Sequence, residues 1–375
     1  MIGILTFHRS HNYGSVLQAY ALQQWLDIHN YQNEIIDLYT RESKQQYQIS
    51  TPLHSGMLKS LFFLVVYRQR KQRWNKFFTF QNDVLRLSRE QYSSFENMLK
   101  IKKIYTSYIT GSDQIWNTSC YDFNWAYYLA FASDKSNKIA YAPSFGPIGN
   151  DEQKTSMYDA IQEKLHQYNF ISVREKGSAD FVEKITGERP FIAVDPILLL
   201  AKEKWEAFTP EKSRLRIPGH YIFFYSLKHE SDEYKIVKYI ANQLQLPVVI
   251  TNVETKRDLR GFEWTIEAGP LDFLFLIQHA DLVLTSSFHG TAFSIIFEKL
   301  FYSINGNHDN RISSLLNKLG ISDRAVSMGN YQSLLDQKHE IQYDHVKELL
   351  KAEIRHSEEF LYKALECEKN GNLSS

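Results

Sequence analysis

Cysteine is almost missing from this chain of 375 residues: only Cys120 and Cys367 occur, far apart and without a metal-ligand neighbourhood. That excludes a disulfide scaffold and a cysteine-type zinc site, and no metal is expected. An excess of one charge is missing too, since 43 Lys plus Arg balance 43 Asp plus Glu. A neutral chain lacks the cationic field that phosphate backbones need, so no nucleic-acid partner is expected. Long hydrophobic runs are absent; the longest, Leu61–Tyr67, falls well short of the roughly 20 residues that span a bilayer. The start, MIGILTFHR, has neither the basic region nor the apolar stretch of a signal peptide, which points to a cytoplasmic setting. No GxGxxG occurs, so a dinucleotide site has little support, and there is no internal repeat or low-complexity tract.

What is present suits a globular protein: 43% of residues are hydrophobic and 14% aromatic. Aromatic faces stack on sugar C–H surfaces, but core filling accounts for most of them. At this length a single core has usually stopped growing, so two domains are expected. The most informative stretch is Asp281–Phe301, DLVLTSSFHGTAFSIIFEKLF. Leu282–Leu284 reads as a buried strand, Thr285–Ser287 as a hydroxyl-rich turn, and Gly290 onward as a buried helix. Such a turn presents backbone N–H groups at a helix start, where anions bind. His289 sits in it, and is the expected centre of the chemistry. The plain structural alternative is a capping histidine.

The remainder continues the alternation. Ile2–Phe7 reads as a strand, His8–Tyr13 as a polar loop, Gly14 as a tight turn, and Ser15 onward as a helix that stops near Asn30. Glu34–Leu38 is the next strand. Residues 41–100 read as a polar, basic, helical insert, with Lys59, Arg68, Arg70, Lys71, Arg73 and Lys76 around Leu61–Tyr67. That face fits either peripheral contact with an anionic membrane surface or an ordinary solvated helix packed on the sheet. Ile104–Thr110 delivers GSDQIWN, placing Asp113 and Gln114 at a strand's carboxyl end, where open α/β sheets bind ligands. Asp113 can accept a proton, hold a sugar hydroxyl, or simply cap the next turn. Trp116 and Trp125 can form a sugar platform or anchor the loop. After Lys138–Ala142 and Phe170–Val173, Arg174 emerges at a strand end, free to fork onto a phosphate or to pair with Asp180 or Glu175. Phe191–Val194 leads to the Asp195–Pro196 turn, and a linker falls around Glu203–Pro218. Strands at Tyr221–Tyr225, Val248–Thr251 and Phe301–Ile304 alternate with helices at Glu233–Leu244 and Leu271–His279. Asp344–Glu368 is a closing helix. The expected domains are 1–200 (acceptor side, with the insert), 201–340 (donor side) and 341–375.

The pieces LTFHRSHNYGSVLQAYAL (5–22), GSDQIWN (111–117), SVRE (172–175), VDPILLL (194–200), TSSFHGTAFSIIF (285–297) and RISSLLNKLG (311–320) together resemble the polysaccharide pyruvyl transferase family. The resemblance spans about residues 2–320 and keeps the family's order. It implies an α/β fold of two Rossmann-like domains facing across a cleft, as in GT-B glycosyltransferases. It also implies pyruvate transfer from phosphoenolpyruvate onto a sugar of a surface polysaccharide or its lipid-linked repeat unit. The product would be a pyruvate ketal, with galactose as a 4,6-ketal the favoured acceptor, and no cofactor is needed beyond the co-substrate.

On this resemblance His289 matches the catalytic or donor-binding histidine and Arg174 the donor-binding arginine; Asp113, in a shared signature, is the expected base for the acceptor hydroxyl, so that His289 and Asp113 are the expected catalytic residues. Arg174, Ser287, Gly290, Thr291 and Arg311 bind donor, and His8, His11, Asn12, Tyr13, Gln114 and Trp116 lie on the acceptor side. Two positions depart from other branches. Ser15 stands where some carry an acid, and Ser287 where some carry an arginine. Asp113, His8 or His11 are candidates for the first missing role and Arg311 for the second. Protonating C3 of the donor needs an acid, and histidine, ordinarily titrating near pH ~6.5, suits neutral pH. The rival readings are a nucleotide-sugar GT-B glycosyltransferase and a family member that has lost its reaction.

Overall fold

The computed structural model describes residues 1–48, 57–102, 105–133, 135–146, 157–251, 261–334 and 340–371, with side chains for all of these except 57–65, 334 and 367–371. Residue Ile104, and the side chains of Lys59, Cys367 and most of the Leu61–Tyr67 run, therefore lie outside the described residues. The chain divides into two compact units: Met1–Gln48, Gln81–Leu200 and Leu350–Ser375 form one, Ile49–Phe80 and Ala201–Leu349 the other.

The first unit is built on β1 (Ile2–Leu5), β2 (Asn33–Leu38), β3 (Leu87–Tyr92), β4 (Ser107–Thr110), β5 (Asn137–Ala140), β6 (Phe170–Val173) and β7 (Phe191–Ile192). All pair in parallel, in the order β3-β2-β1-β4-β5-β6-β7, with Ile4 opposite both Ile35 and Ile109. Parallel strands covered by helices on both faces read as continuous apolar runs, and β1, β2 and β4 are buried at every position. The helix Tyr13–Ile28 starts where Asn12 accepts the amides of Gly14 and Ser15, and the chain turns away at Asn30, which takes a left-handed conformation with φ 61°.

In the second unit β8 (Ile222–Tyr225), β9 (Val248–Ile250), β10 (Glu263–Trp264), β11 (Leu282–Thr285), β12 (Phe301–Ile304) and β13 (Ala325–Val326) pair in parallel in the order β10-β9-β8-β11-β12-β13. In each sheet the strand order reverses in the middle, between β1 and β4 and between β8 and β11. Ligands of open α/β sheets lie outside the carboxyl ends at such a reversal. Both reversals fall on the segments singled out from the sequence.

The segment 41–100 departs from its expected helical reading. It contains β3, whose sequence LSREQY is half exposed at the sheet edge and so lacks the apolar run of a central strand. Its long helix Met57–Thr79 groups with the second unit, where Lys76 pairs with Asp272 at 2.7 Å. Among the described residues no helix is long and apolar enough to cross a membrane.

The C-terminal helix Tyr343–Gly371 completes the first unit's packing from Leu350 onward. Glu358 accepts the Trp25 indole N–H at 3.0 Å, Ser357 accepts the Val194 amide at 3.0 Å, and the Ala364 carbonyl accepts Asn137 at 2.9 Å. Phe360 stacks on Phe191 with ring centres 5.3 Å apart. Leu361 is fully buried there. Leu361→Ala is expected to destabilise the protein by about 2–5 kcal/mol, the range for a leucine truncated in a closed core; a denaturant melt of the full chain reads it.

Candidate functional site

At the β1/β4 reversal, the turn after β4 forces Asp113 into a left-handed conformation, φ 77°, which a non-glycine residue adopts only at a cost. The turn is held by its own carbonyl, which accepts the Ser144 amide at 2.8 Å. The Asp113 carboxylate accepts a short hydrogen bond from Ser15 and the Gln114 amide at 2.9 Å. So Ser15 is the residue against which Asp113 brings its carboxylate. Asp113 also lies 3.8 Å from Arg174.

Arg174 follows β6, and its guanidinium is almost wholly buried. It donates to Asp195 at 2.7 Å and has Asp113 and Glu175 each at 3.8 Å. The sequence alternatives named Glu175 and Asp180; the structure makes Asp195 the close partner, while Asp180 pairs with Arg189 at 2.9 Å. Asp195 also accepts Ser112 at 2.9 Å and caps the turn Pro196–Leu199. With three carboxylates around it, this cation is already largely offset, so an incoming polyanion needs further donors.

Several acceptor-side candidates are structural. His8 is fully buried; its Nδ1 faces the Thr6 carbonyl at 3.0 Å and its Nε2 faces Asp37 at 3.0 Å. Arg9 holds the same carboxylate with two bonds, of 2.7 and 2.6 Å. Burial pushes the Asp37 carboxyl up, but the hydrogen bonds from His8 and Arg9 outweigh it and hold it below the usual carboxylate range. Of the two readings of Trp116, sugar platform or loop anchor, the structure favours the anchor: the side chain is fully buried, stacks on Tyr128 at 5.2 Å and donates to the Tyr127 carbonyl. Tyr13 is fully buried as well. His11, Asn12 and Gln114 keep partial exposure. His11 stacks on Tyr47 at 5.0 Å, Asn12 is the helix cap, and Gln114 accepts Asn117 at 2.9 Å.

At the β8/β11 reversal, the helix Phe288–Ile296 begins with Ser287 as its cap. Gly290 is required here by close approach: a Cβ would stand 2.4 Å from the Thr285 hydroxyl. His289, in the first turn, is 6% exposed and packs edge-on against Phe288 at 5.4 Å. Ser286 reaches Ser226, at the end of β8, at 3.1 Å. The amides assigned to donor binding are differently used: Gly290 N–H goes to the Ser287 hydroxyl at 3.5 Å and Thr291 N–H to the Ser287 carbonyl at 3.0 Å. The Thr291 hydroxyl shares a hydrogen with Ser303 at 2.7 Å, inside the core. Arg311 is likewise engaged, forked onto Asp309 through Nε at 2.9 Å and a second nitrogen at 2.5 Å. Among the described residues no group of three His, Cys, Asp or Glu is placed to hold a metal ion.

Sequence reasoning missed Asp122. It lies in the turn before Trp125, is 8% exposed, and burial together with the nearby Asp113 pushes its carboxyl up to about 6. Nothing in YDFNW announces this, because the property comes from enclosure and not from spacing.

No curated protein matches the chain. Among solved structures it is similar to UDP-GlcNAc 2-epimerase from Methanocaldococcus jannaschii, at 12% identity and TM-score 0.53, covering 93% of this chain and 91% of that one. It is also similar to S. aureus MnaA, solved with UDP, at 10% identity and TM-score 0.52, covering 92% and 89%. At such identities the likeness shows the fold, which is of the GT-B type with two Rossmann-like units. The family model for polysaccharide pyruvyl transferase matches residues 12–308, a span that takes in Ser15, Asp113, Arg174 and His289, and the chain belongs to that family.

Proposed function

We propose that this transferase moves pyruvate from phosphoenolpyruvate onto a sugar of a surface polysaccharide or its lipid-linked precursor, forming a cyclic ketal and releasing phosphate. The family match over residues 12–308 carries this reading. Its support from the structure is that both strand-order reversals bear polar, enclosed side chains of the kinds the reaction uses.

The donor's double bond accepts a proton at C3, leaving C2 cation-like, and an acceptor hydroxyl then bonds to C2. Phosphate departs with the bridging oxygen, and a neighbouring hydroxyl closes the ring. His289 is assigned the proton delivered to C3, since histidine can hold and release a proton near neutral pH. Arg174 is assigned the donor's anionic groups, its fork kept in place by Asp195. Asp113, fixed by Ser15, engages the acceptor hydroxyl, and His11, Asn12 and Gln114 line its approach. Ser287 keeps its donor-side role by shaping the turn that carries His289. No cofactor enters this scheme, and membrane contact is needed only if the acceptor is lipid-linked.

One observation favours a second reading, a nucleotide sugar as donor: the similar solved structures named above are a UDP-GlcNAc enzyme and a UDP complex. Thermal melts with phosphoenolpyruvate, UDP, UDP-GlcNAc and UDP-galactose separate the two. Phosphoenolpyruvate is expected to raise the melting temperature, and a rise with the nucleotides alone rejects the proposal.

Phosphate release is then followed over methyl glycosides of galactose, glucose and N-acetylmannosamine. His289→Ala is expected to lower turnover by about 10²–10⁴-fold, the range for losing a proton-transfer group, in a protein that still melts cooperatively. Arg174→Lys is expected to be severely impaired too, because a point charge cannot replace the fork; near-normal turnover removes the donor assignment. Gly290→Ala tests positioning. The added methyl group meets Thr285, so turnover should fall together with a loss of about 1–3 kcal/mol in stability, the usual cost of overpacking.

A further inference from the structure

In a chain whose acids and bases balance, positive charge is concentrated on the helix Met57–Thr79. It carries Arg68, Arg70, Lys71, Arg73 and Lys76, and no Asp or Glu occurs anywhere from residue 43 to residue 82. One edge of this helix is fixed to the second unit. Val66 is fully buried in the apolar cluster that holds Ile222, Ile250 and Leu284, and Phe77 is fully buried as well. Lys76 lies along Gly269, where a Cβ would stand 2.5 Å from the lysine Cβ, and pairs with Asp272 at 2.7 Å.

The opposite edge has another character. Tyr67, Lys71, Trp74 and Phe78 follow one another at steps of four, three and four residues, which places them on one stripe of the helix. Tyr67 is 36% and Phe78 47% exposed; Lys71 is exposed and Trp74 half-buried. The Trp74 and Phe78 rings stack with centres 5.1 Å apart and planes 13° from parallel. At 3.6 residues per turn, Arg68 and Arg70 fall on either side of the stripe. Single aromatics scattered over a surface are ordinary, but three in line among cations mark apolar surface that something covers.

The cover must offer negative charge with an apolar layer directly beneath it. An anionic bilayer has both, because its phosphates meet the cations while the rings enter the headgroup boundary, to a depth of roughly 5–10 Å. A nucleic-acid duplex supplies phosphates without the apolar layer. A second copy of this chain, with 43 acids against 43 bases, supplies no excess of negative charge.

We propose that the Tyr67–Phe78 stripe docks the enzyme on an anionic membrane surface, with the helix lying in the plane of the headgroups. Among the described residues no helix is long and apolar enough to cross a membrane, so the contact is peripheral. The inference goes beyond the pyruvyl-transfer reading and is independent of the donor. Its use is to hold the enzyme at the surface where a lipid-linked acceptor resides.

The test spins the full chain with vesicles of phosphatidylcholine mixed with phosphatidylglycerol, and with vesicles of phosphatidylcholine alone. The chain is expected to sediment with the mixed vesicles only, and to be released by added salt, which screens exposed charges. Lys71→Gln is expected to weaken binding about fivefold, the worth of one basic side chain near such a surface. Phe78→Ala should weaken it about tenfold through the lost apolar burial, and Phe78→Trp should bind as the parent does. Lys235→Gln, removing an exposed cation on the helix Ser231–Leu244, should change nothing. Phosphate release on soluble glycosides should persist in all four variants, since none of these side chains belongs to the proposed site.

Absence of sedimentation with the mixed vesicles, or equal sedimentation with both kinds, overturns the proposal. So does binding that Lys71→Gln and Phe78→Ala both leave intact, which puts the contact elsewhere. A dimer in light scattering that is lost in Phe78→Ala, without vesicle binding, gives the stripe to a second copy. Retention of a DNA duplex in place of vesicles gives it to nucleic acid. If the parent releases no phosphate from phosphoenolpyruvate, the pyruvyl-transfer reading fails and the vesicle result stands on its own.

Discussion

One buried guanidinium organises the carboxyl end of the first sheet. Arg174 follows β6, Asp195 follows β7, Asp113 follows β4, and Ser15 belongs to the helix after β1. A single cation thus links segments that are far apart in sequence. Removing one partner from such a buried set costs roughly 3–5 kcal/mol, because the opposite charge is left without compensation. The strained turn at Asp113 is held by the same set, so the geometry of the site and the stability of the sheet end share one cause.

That cause also explains which parts of the site were legible in the sequence. The strand, turn and helix of 282–296 are contiguous, and their pattern of apolar and hydroxyl residues could be read directly. The parallel alternation and the strand-end positions of Asp113 and Arg174 were legible for the same reason. The meeting of Ser15 with Asp113, 98 residues apart, was not, because it depends on the register of β1 against β4. The choice for Trp116 between sugar platform and loop anchor could not be made from sequence, because an indole in a loop motif looks the same whether it covers a sugar or fills a core; its burial favours the anchor. β3, β10 and β13 were missed because edge strands that are short or half exposed carry no run of apolar residues.

Fold and chemistry separate cleanly here. The fold is shared with solved structures at about one residue in ten identical, so backbone architecture alone leaves the donor open. The family resides in the loops beyond the strands, where hydroxyl, carboxylate, imidazole and guanidinium groups are set. Much of what looked available in those loops is consumed internally. The Thr291 hydroxyl, the Gly290 amide and the Arg311 fork all serve the packing of their own turns.

The late helix Tyr343–Gly371 has a consequence for biogenesis. Strands β1 to β7 lie within the first 200 residues, yet the indole of Trp25, the amide of Val194 and the side chain of Asn137 find their partners only at residues 357–364. On a ribosome, where chains emerge from the amino end, that seven-stranded layer must wait with one flank bare while more than a hundred further residues are made. Its closure must follow the synthesis of the second unit, because the partners at residues 357–364 lie beyond it in sequence.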